Sequence, residues 1–199
     1  MQLLIIVASQ LEADSLPTLP NSSIVVSGVG AVSAALATQA VLLESRPELV
    51  LSVGIAGAYP NAGLDLADVL VSSSVVYAGL GVQQGLRVEA LNLAGAEQVL
   101  PVWDKAVAFA QNNNLEHGVI ATLETVTTDL AKAAAIEAQF GARAEAMEGA
   151  GVAQAALRFG VPMLEIRAIS NMVGDRKNWQ LQKALAALGG SLARVCYDW

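Results

Sequence analysis

Side chains able to do acid–base chemistry are few in this sequence, and several recur beside glycine. The segments are Ser9-Gln10-Leu11-Glu12, Gly54-Ile55-Ala56-Gly57, Ala146-Met147-Glu148-Gly149-Ala150-Gly151 and Arg167-Ala168-Ile169-Ser170-Asn171, the last followed by Met172-Val173-Gly174-Asp175. Among them Glu12, Glu148 and Asn171 offer two carboxylates and one amide beside a glycine-rich backbone. Such a set suits stabilising a developing cation and activating water more than acyl transfer, and no Ser/His/Asp nucleophile set is apparent. His117 is the only histidine and Cys196 the only cysteine. That removes histidine-rich clusters, cysteine-based metal sites and an intramolecular disulfide. No metal or cofactor is expected.

The elements that must position these residues alternate along the chain. Residues 3–8, 24–27, 49–53, 68–76, 118–121 and 163–169 read as strands, the first a β-branched apolar run suited to burial on both faces. Residues 31–45 read as an alanine-rich helix stopping before Pro47, and 93–111 as a helix bent or interrupted by Pro101. Thr128-Asp129 reads as an N-cap before a helix ending near Phe140-Gly141. Residues 148–159 form a helix closed by Gly160, and 179–196 a final helix. The pattern predicts one α/β domain over residues 1–199, with a central mixed, mostly parallel twisted sheet flanked by helices. In such sheets ligands sit beyond the carboxyl ends of the strands, where the polar segments fall.

Composition narrows the partners. Eleven Lys+Arg against 18 Asp+Glu give a formal net charge of −7, which argues against nucleic acid. At 54% hydrophobic and only 15% charged, disorder is excluded, and a homo-oligomer is expected because a lone subunit would leave much apolar surface exposed. Residues 28–43 come nearest to a membrane span, but Ser33, Thr38 and Gln39 interrupt them, so no membrane partner is expected. With a lone cysteine and no basic signal-like start, the expectation is a reducing, cytoplasmic compartment.

Ser27-Gly28-Val29-Gly30, Gly54-Ile55-Ala56-Gly57, Met147-Glu148-Gly149-Ala150 and Arg167-Ala168-Ile169-Ser170-Asn171, in this order and spacing, resemble the nucleoside phosphorylase/nucleosidase superfamily over nearly the whole chain. Within it the chain is similar to the methylthioadenosine/adenosylhomocysteine nucleosidases, and most of all to the branch that hydrolyses futalosine, a hypoxanthine nucleoside. The resemblance implies a purine nucleoside as the small-molecule partner, a dimer or multiple of dimers, and no cofactor. It implies Glu12 as general base on water, Met147 against the sugar and Glu148 on its hydroxyls. It also implies backbone contacts to the purine from Thr125, Val126 and Thr127, with Val126 where the adenosine enzymes place an aromatic ring. Water would be held by Glu12 and the backbone near Ala56 and Gly57. Adenosine-specific members carry Ser-Asp where this chain has Ser170-Asn171. An amide has no titratable proton but offers NH₂ to O6 and C=O to N7–H of a 6-oxopurine. Phosphorylases clamp phosphate with arginines, one at the place held here by Ser52, so hydrolysis is expected.

Plainer readings compete at each position. Ser9 and Glu12 also fit a helix capping box. Glu148 could only complement a helix dipole, Asn171 could be a cap or turn residue, and Gly28, Gly30, Gly54 and Gly57 could be ordinary turn glycines. Arg167 reads as a positioning group bonded to a site carboxylate. In the 175–179 loop, Arg176 or Lys177 could meet an acidic 5′ substituent, or the loop could simply cap the last helix. Alternatives to the main reading are a methylthioadenosine/adenosylhomocysteine nucleosidase and a non-catalytic nucleoside-binding protein.

Overall fold

The computed structural model describes residues 1–175 and 177–195. Arg176 and Cys196, singled out above, lie outside the described residues. The elements run β1 (Leu3–Val7), α1 (Gln10–Ser15), β2 (Ser22–Val26), α2 (Ala31–Glu44), β3 (Leu49–Ala58), β4 (Val69–Tyr77), β5 (Val82–Gln84) and β6 (Arg87–Glu89). They continue with β7 (Val99–Leu100), α3 (Ala106–Asn112), β8 (Glu116–Thr122), α4 (Leu130–Phe140), β9 (Ala142–Ala146), α5 (Gly149–Phe159), β10 (Met163–Met172) and α6 (Leu181–Val195).

The expected α/β architecture is present. The main sheet runs β10-β4-β8-β9-β3-β1-β2, with β7 paired to β4, and β10 also pairs β3. The sheet thus curls so that β3, β10, β4, β8 and β9 close on themselves, while β1 and β2 extend as a parallel wing. Pairings of β10 with β4, β3 with β9 and β4 with β7 are antiparallel, and the others in this sheet are parallel. Alternate residues of β1 feed opposite faces, as a strand's twofold side-chain period requires. Leu3, Ile5 and Val7 join a core with Phe109 of α3 and Leu188 and Leu192 of α6. Leu4 and Ile6 join another with Ala34 and Leu42 of α2 and Ala150 and Ala153 of α5.

Residues 93–111 are not one helix. Val99-Leu100 pairs with Val75-Val76 of β4, and α3 begins only at Ala106, after Pro101. Alanine-rich propensity loses there to strand pairing and to the proline, which lacks an N–H and disfavours helix in the preceding residue. The chain also continues as strand through Gly54-Ile55-Ala56-Gly57 rather than turning, because β10 pairs with all four residues and β9 takes Gly57 on the other side.

Candidate active site

Glu12 occupies the third position of the short helix α1 and is buried. Its Oε2 accepts hydrogen bonds from Ser9 N at 2.9 Å and Ser9 Oγ at 2.9 Å, while Ser9 Oγ accepts from Glu12 N at 3.3 Å. This is the reciprocal capping box. The second oxygen, Oε1, accepts from Ile55 N at 3.2 Å. The box is therefore also a clamp that aims the carboxylate at the carboxyl end of β3.

Glu148 stands at the N-cap of α5 without a side-chain capping bond. Its oxygens turn elsewhere: Oε1 accepts from Gly30 N at 3.2 Å, and Oε2 pairs with Arg167 Nη2 at 3.2 Å. Arg167 is wholly buried, donates from Nε to Glu165 Oε1 at 2.8 Å and from Nη2 to Ser52 Oγ at 3.1 Å. Burial works against its charge, but Glu165, Glu148 and Glu12 together outweigh that and hold it above the ordinary arginine value. Burial pushes the Glu165 carboxyl up; Arg167 opposes this, and the charge of Glu148 adds to it. Ser52, the position that the resemblance sets against a phosphorylase arginine, is here a partner of Arg167.

The four glycines of the motif turns divide into two kinds. Gly28 and Gly30 adopt φ of +84° and +100°, the left-handed side that favours glycine. Gly54 and Gly57 lie in β3 and are selected by crowding. A Cβ on Gly54 would sit 2.5 Å from Arg167 Nη1 and nearer still to Glu12 Oε1, and one on Gly57 would sit 3.0 Å from Asn171 Nδ2.

Asn171 is buried at the end of β10. Its Oδ1 accepts from Ser170 Oγ at 2.9 Å and its Nδ2 donates to Met172 O at 3.2 Å. With two donors and two acceptor lone pairs on the amide, one of each stays available.

These groups open onto one cavity of about 280 Å³. Glu12, Ala56, Gly57, Thr125, Val126, Met147, Glu148, Ser170 and Asn171 all line it. Thr127 and Arg167 do not. Arg167 lies behind the wall, and Thr127 is buried with its N–H donated to Glu145 Oε1 at 2.8 Å. Lys177 is exposed and absent from the lining; its N–H donates to Asp175 Oδ1 at 3.1 Å. Asn178 Nδ2 donates to Asp175 Oδ2 at 2.8 Å, a bond that with the Lys177 N–H holds the Asp175 carboxyl below its usual range. Trp179, just before the last helix, and Leu181, its first residue, also line the cavity.

Among the charged lining groups, sequence reasoning missed Glu145. It is buried, with Oε2 accepting from Tyr59 OH at 3.0 Å. The available signal was an acid alternating with small apolar residues in Ala142-Arg143-Ala144-Glu145-Ala146, which is strand β9. Among the described residues the cavity wall carries three carboxylates and no lysine or arginine, and none form a cluster fit to hold a metal ion. Such a wall favours positive charge within it and water, rather than an anion, as nucleophile.

The comparisons with known proteins agree with this geometry. Residues 20–196 match the phosphorylase superfamily. The chain is 40% identical over 201 residues to the futalosine hydrolase of Streptomyces coelicolor, covering 93% of this chain and 84% of that protein. It is 34% identical to the futalosine hydrolase of Thermus thermophilus, covering 84% and 78%. To the 5′-methylthioadenosine/S-adenosylhomocysteine nucleosidase of Anoxybacillus flavithermus it is 30% identical, covering 87% and 79%. Among solved structures, the corresponding nucleosidase of Colwellia psychrerythraea in complex with adenine superposes with a TM-score of 0.79 at 25% identity, over 98% of this chain and 92% of that one. The Helicobacter pylori nucleosidase reaches a TM-score of 0.84 at 20% identity, over 100% and 99%, a likeness of fold. By sequence and by fold, the chain belongs to the phosphorylase superfamily.

Proposed function

We propose that this chain is an N-glycosidase that hydrolyses futalosine, releasing hypoxanthine and leaving a ribose hydroxyl where the base was attached. The observation that carries the reading is the convergence of Glu12, Glu148 and Asn171 on one cavity whose described lining holds no cation. The 40% identical futalosine hydrolase supports the choice of substrate.

The glycosidic bond breaks first, its electron pair leaving with the base and positive charge developing on the ribose. Glu148, held by Gly30 N and Arg167, accepts from the ribose hydroxyls and places negative charge beside that cation. Met147, next to it, packs on the sugar. The free N–H of Asn171 bonds O6 of the departing base, and its free lone pair takes N7–H as N7 gains a proton from solvent. Both contacts strengthen as charge moves onto the base, which is what lowers a barrier. Water then attacks C1′ and gives its proton to Glu12, whose carboxylate is fixed from both ends. Thr125 and Val126 border the base pocket. Val126 in place of an aromatic ring leaves the base to be held more by its polar edge than by stacking.

This activity belongs to the futalosine route to menaquinone, in the cytoplasm. We also infer a homo-oligomer, since Val32, Leu36 and Leu43 of α2 are 67%, 63% and 70% exposed on a helix bordering the site. The test is direct. The protein is incubated with futalosine, its 6-amino analogue, inosine and methylthioadenosine, with and without inorganic phosphate, and the freed base is chromatographed. Hypoxanthine released from futalosine at a rate independent of phosphate is expected. Phosphate dependence would make the chain a phosphorylase, and preference for an adenine nucleoside would overturn the assignment of Asn171.

A further inference from the structure

Glu145 is the cavity carboxylate that the reaction above leaves unused. Its position follows from strand register. Gly57 of β3 is paired on one side with Asn171 of β10 and on the other with Glu145 of β9. Directly opposed residues of neighbouring strands project from the same face. Asn171, Gly57 and Glu145 therefore form one row across the sheet, and the middle member has no side chain. The Cα atoms of the outer two are separated by two strand spacings, about 9–10 Å. The bare glycine lets the Asn171 amide lean over β3, with Nδ2 3.0 Å from where a Cβ would stand, and Asn171, Gly57 and Glu145 all line the cavity where the base would lie.

The carboxylate is also built to accept. Tyr59 OH donates to Oε2 at 3.0 Å and Thr127 N to Oε1 at 2.8 Å. Tyr59 is fully buried, and burial, reinforced by the negative charge of Glu145, pushes its phenol far above the ordinary range, so it remains a donor. An ionised carboxylate accepts at about four lone-pair sites, so two are left over, and it has nothing to donate. The group at the base edge is thus acceptor-only.

A 6-oxopurine carries a hydrogen on N1, next to O6. A 6-aminopurine carries a lone pair there. We infer that Glu145 is a specificity-determining residue that accepts the N1–H of a 6-oxopurine while Asn171 takes its O6 and N7 edge. This rests on the reading of the cavity as a nucleoside site. An adenine ring in the same pose would turn the N1 lone pair toward a buried carboxylate, which leaves two acceptors facing each other and is strongly unfavourable.

The test uses the whole protein, hypoxanthine and adenine by calorimetry, and futalosine against its 6-amino analogue by turnover. Glu145→Gln offers an NH₂ toward N1 and keeps an oxygen for Thr127 N. The wild-type preference for the 6-oxo member should shrink by about 10–100-fold in the variant, the worth of a hydrogen bond to a charged group. A role limited to holding Thr127 and Tyr59 would weaken both members alike and leave the ratio unchanged, which overturns the inference. In the wild-type complex, [1-¹⁵N]hypoxanthine should show an N1–H proton shifted downfield and protected from solvent exchange. This second measurement needs no variant to fold. A freely exchanging N1–H in a complex that does form overturns the inference alone. Failure of hypoxanthine to bind, together with no cleavage of futalosine, overturns both it and the proposed reaction.

Discussion

Replacing Glu12 by glutamine separates two roles that the structure superimposes on one side chain. A capping box accepts Glu or Gln at its third helical position, because either can receive the N-cap N–H. The amide oxygen of the variant can therefore keep the bonds from Ser9 N and Ser9 Oγ, now made at 2.9 Å each. The variant cannot also receive Ile55 N, now 3.2 Å from the second carboxylate oxygen, because an NH₂ would face that N–H. One hydrogen bond to a charged acceptor is lost on the folding side, a cost of about 1–3 kcal/mol, which a urea titration resolves easily. On the catalytic side the loss is of another kind. An amide takes no proton from water, and removal of a general base typically lowers kcat by about 10²–10⁴-fold. Base binding should be nearly untouched, since Glu12 is assigned to the water and not to the purine. The assay is hypoxanthine release at saturating futalosine, with calorimetric binding of hypoxanthine in parallel. A kcat within about tenfold of wild type, well short of the loss expected for a missing base, would reduce Glu12 to a cap and refute the base assignment.

Other substitutions reach the remaining parts of the site. Asn171→Ala removes one N–H and one lone pair facing the base, and should lower kcat/KM for futalosine by about 10²–10³-fold. Ser170 Oγ retains Ala56 O at 3.2 Å as an acceptor, so the melting temperature should change little. Gly54→Ala drives a methyl group against Glu12 and Arg167, and should destabilise by about 1–3 kcal/mol in denaturant while disturbing both carboxylate supports; an unaffected protein would contradict the close approach. Glu165→Gln tests the sign of a buried acid. The folded-state value of Glu165 is raised, so above the unfolded value, about 4.5, the folded chain holds the proton more tightly. Its contribution to stability is complete below that value and is lost as pH rises toward the raised one. Glu165→Gln should therefore flatten the decline of stability over that interval, measured as urea midpoints against pH, and a steeper decline would contradict the assignment.

Much of the fold and of the site's membership was legible in the residues. The β-branched run at 3–8, the proline at 47, the N-cap at Asp129 and the left-handed glycines at 141 and 160 are local signals, and the elements they mark lie where expected. What resisted reading was set by long-range pairing. Val99-Leu100 carries no strong strand signal of its own and becomes a strand by meeting Val75-Val76. β9 was invisible because alanine at 142, 144 and 146 has weak strand preference, and with it Glu145 went unnoticed. The glycines at 54 and 57 read as a turn because their alternative use, admitting Glu12, Arg167 and Asn171 against a strand backbone, depends on partners more than a hundred residues away in two of the three cases. Thr127 illustrates the converse: the resemblance implies a backbone contact to the base, but its N–H is donated to Glu145 and it does not line the cavity.

The charge arrangement itself favours the proposed chemistry over phosphate transfer. Glu12, Glu148 and Glu165 surround a single guanidinium, that of Arg167. Burial pushes the Glu165 carboxyl up, and Glu12, Glu145 and Glu148 set three carboxylates at the cavity face against the one guanidinium behind it. A buried negative charge in excess of its partners costs folding stability, and proteins keep such a surplus where it serves a function. Here the hydrogen bonds from Ser9, Ile55 and Gly30 hold the surplus in place without neutralising it. A phosphate dianion entering would add to the imbalance. A ribose acquiring positive charge would remove it, and the stabilisation grows as the glycosidic bond lengthens because the dipoles and carboxylates are already oriented before the substrate arrives. The same surplus explains why Arg167 must stay behind the wall: moved into the cavity it would cancel the field that the developing cation needs, and it would supply an anion site that the described lining does not have.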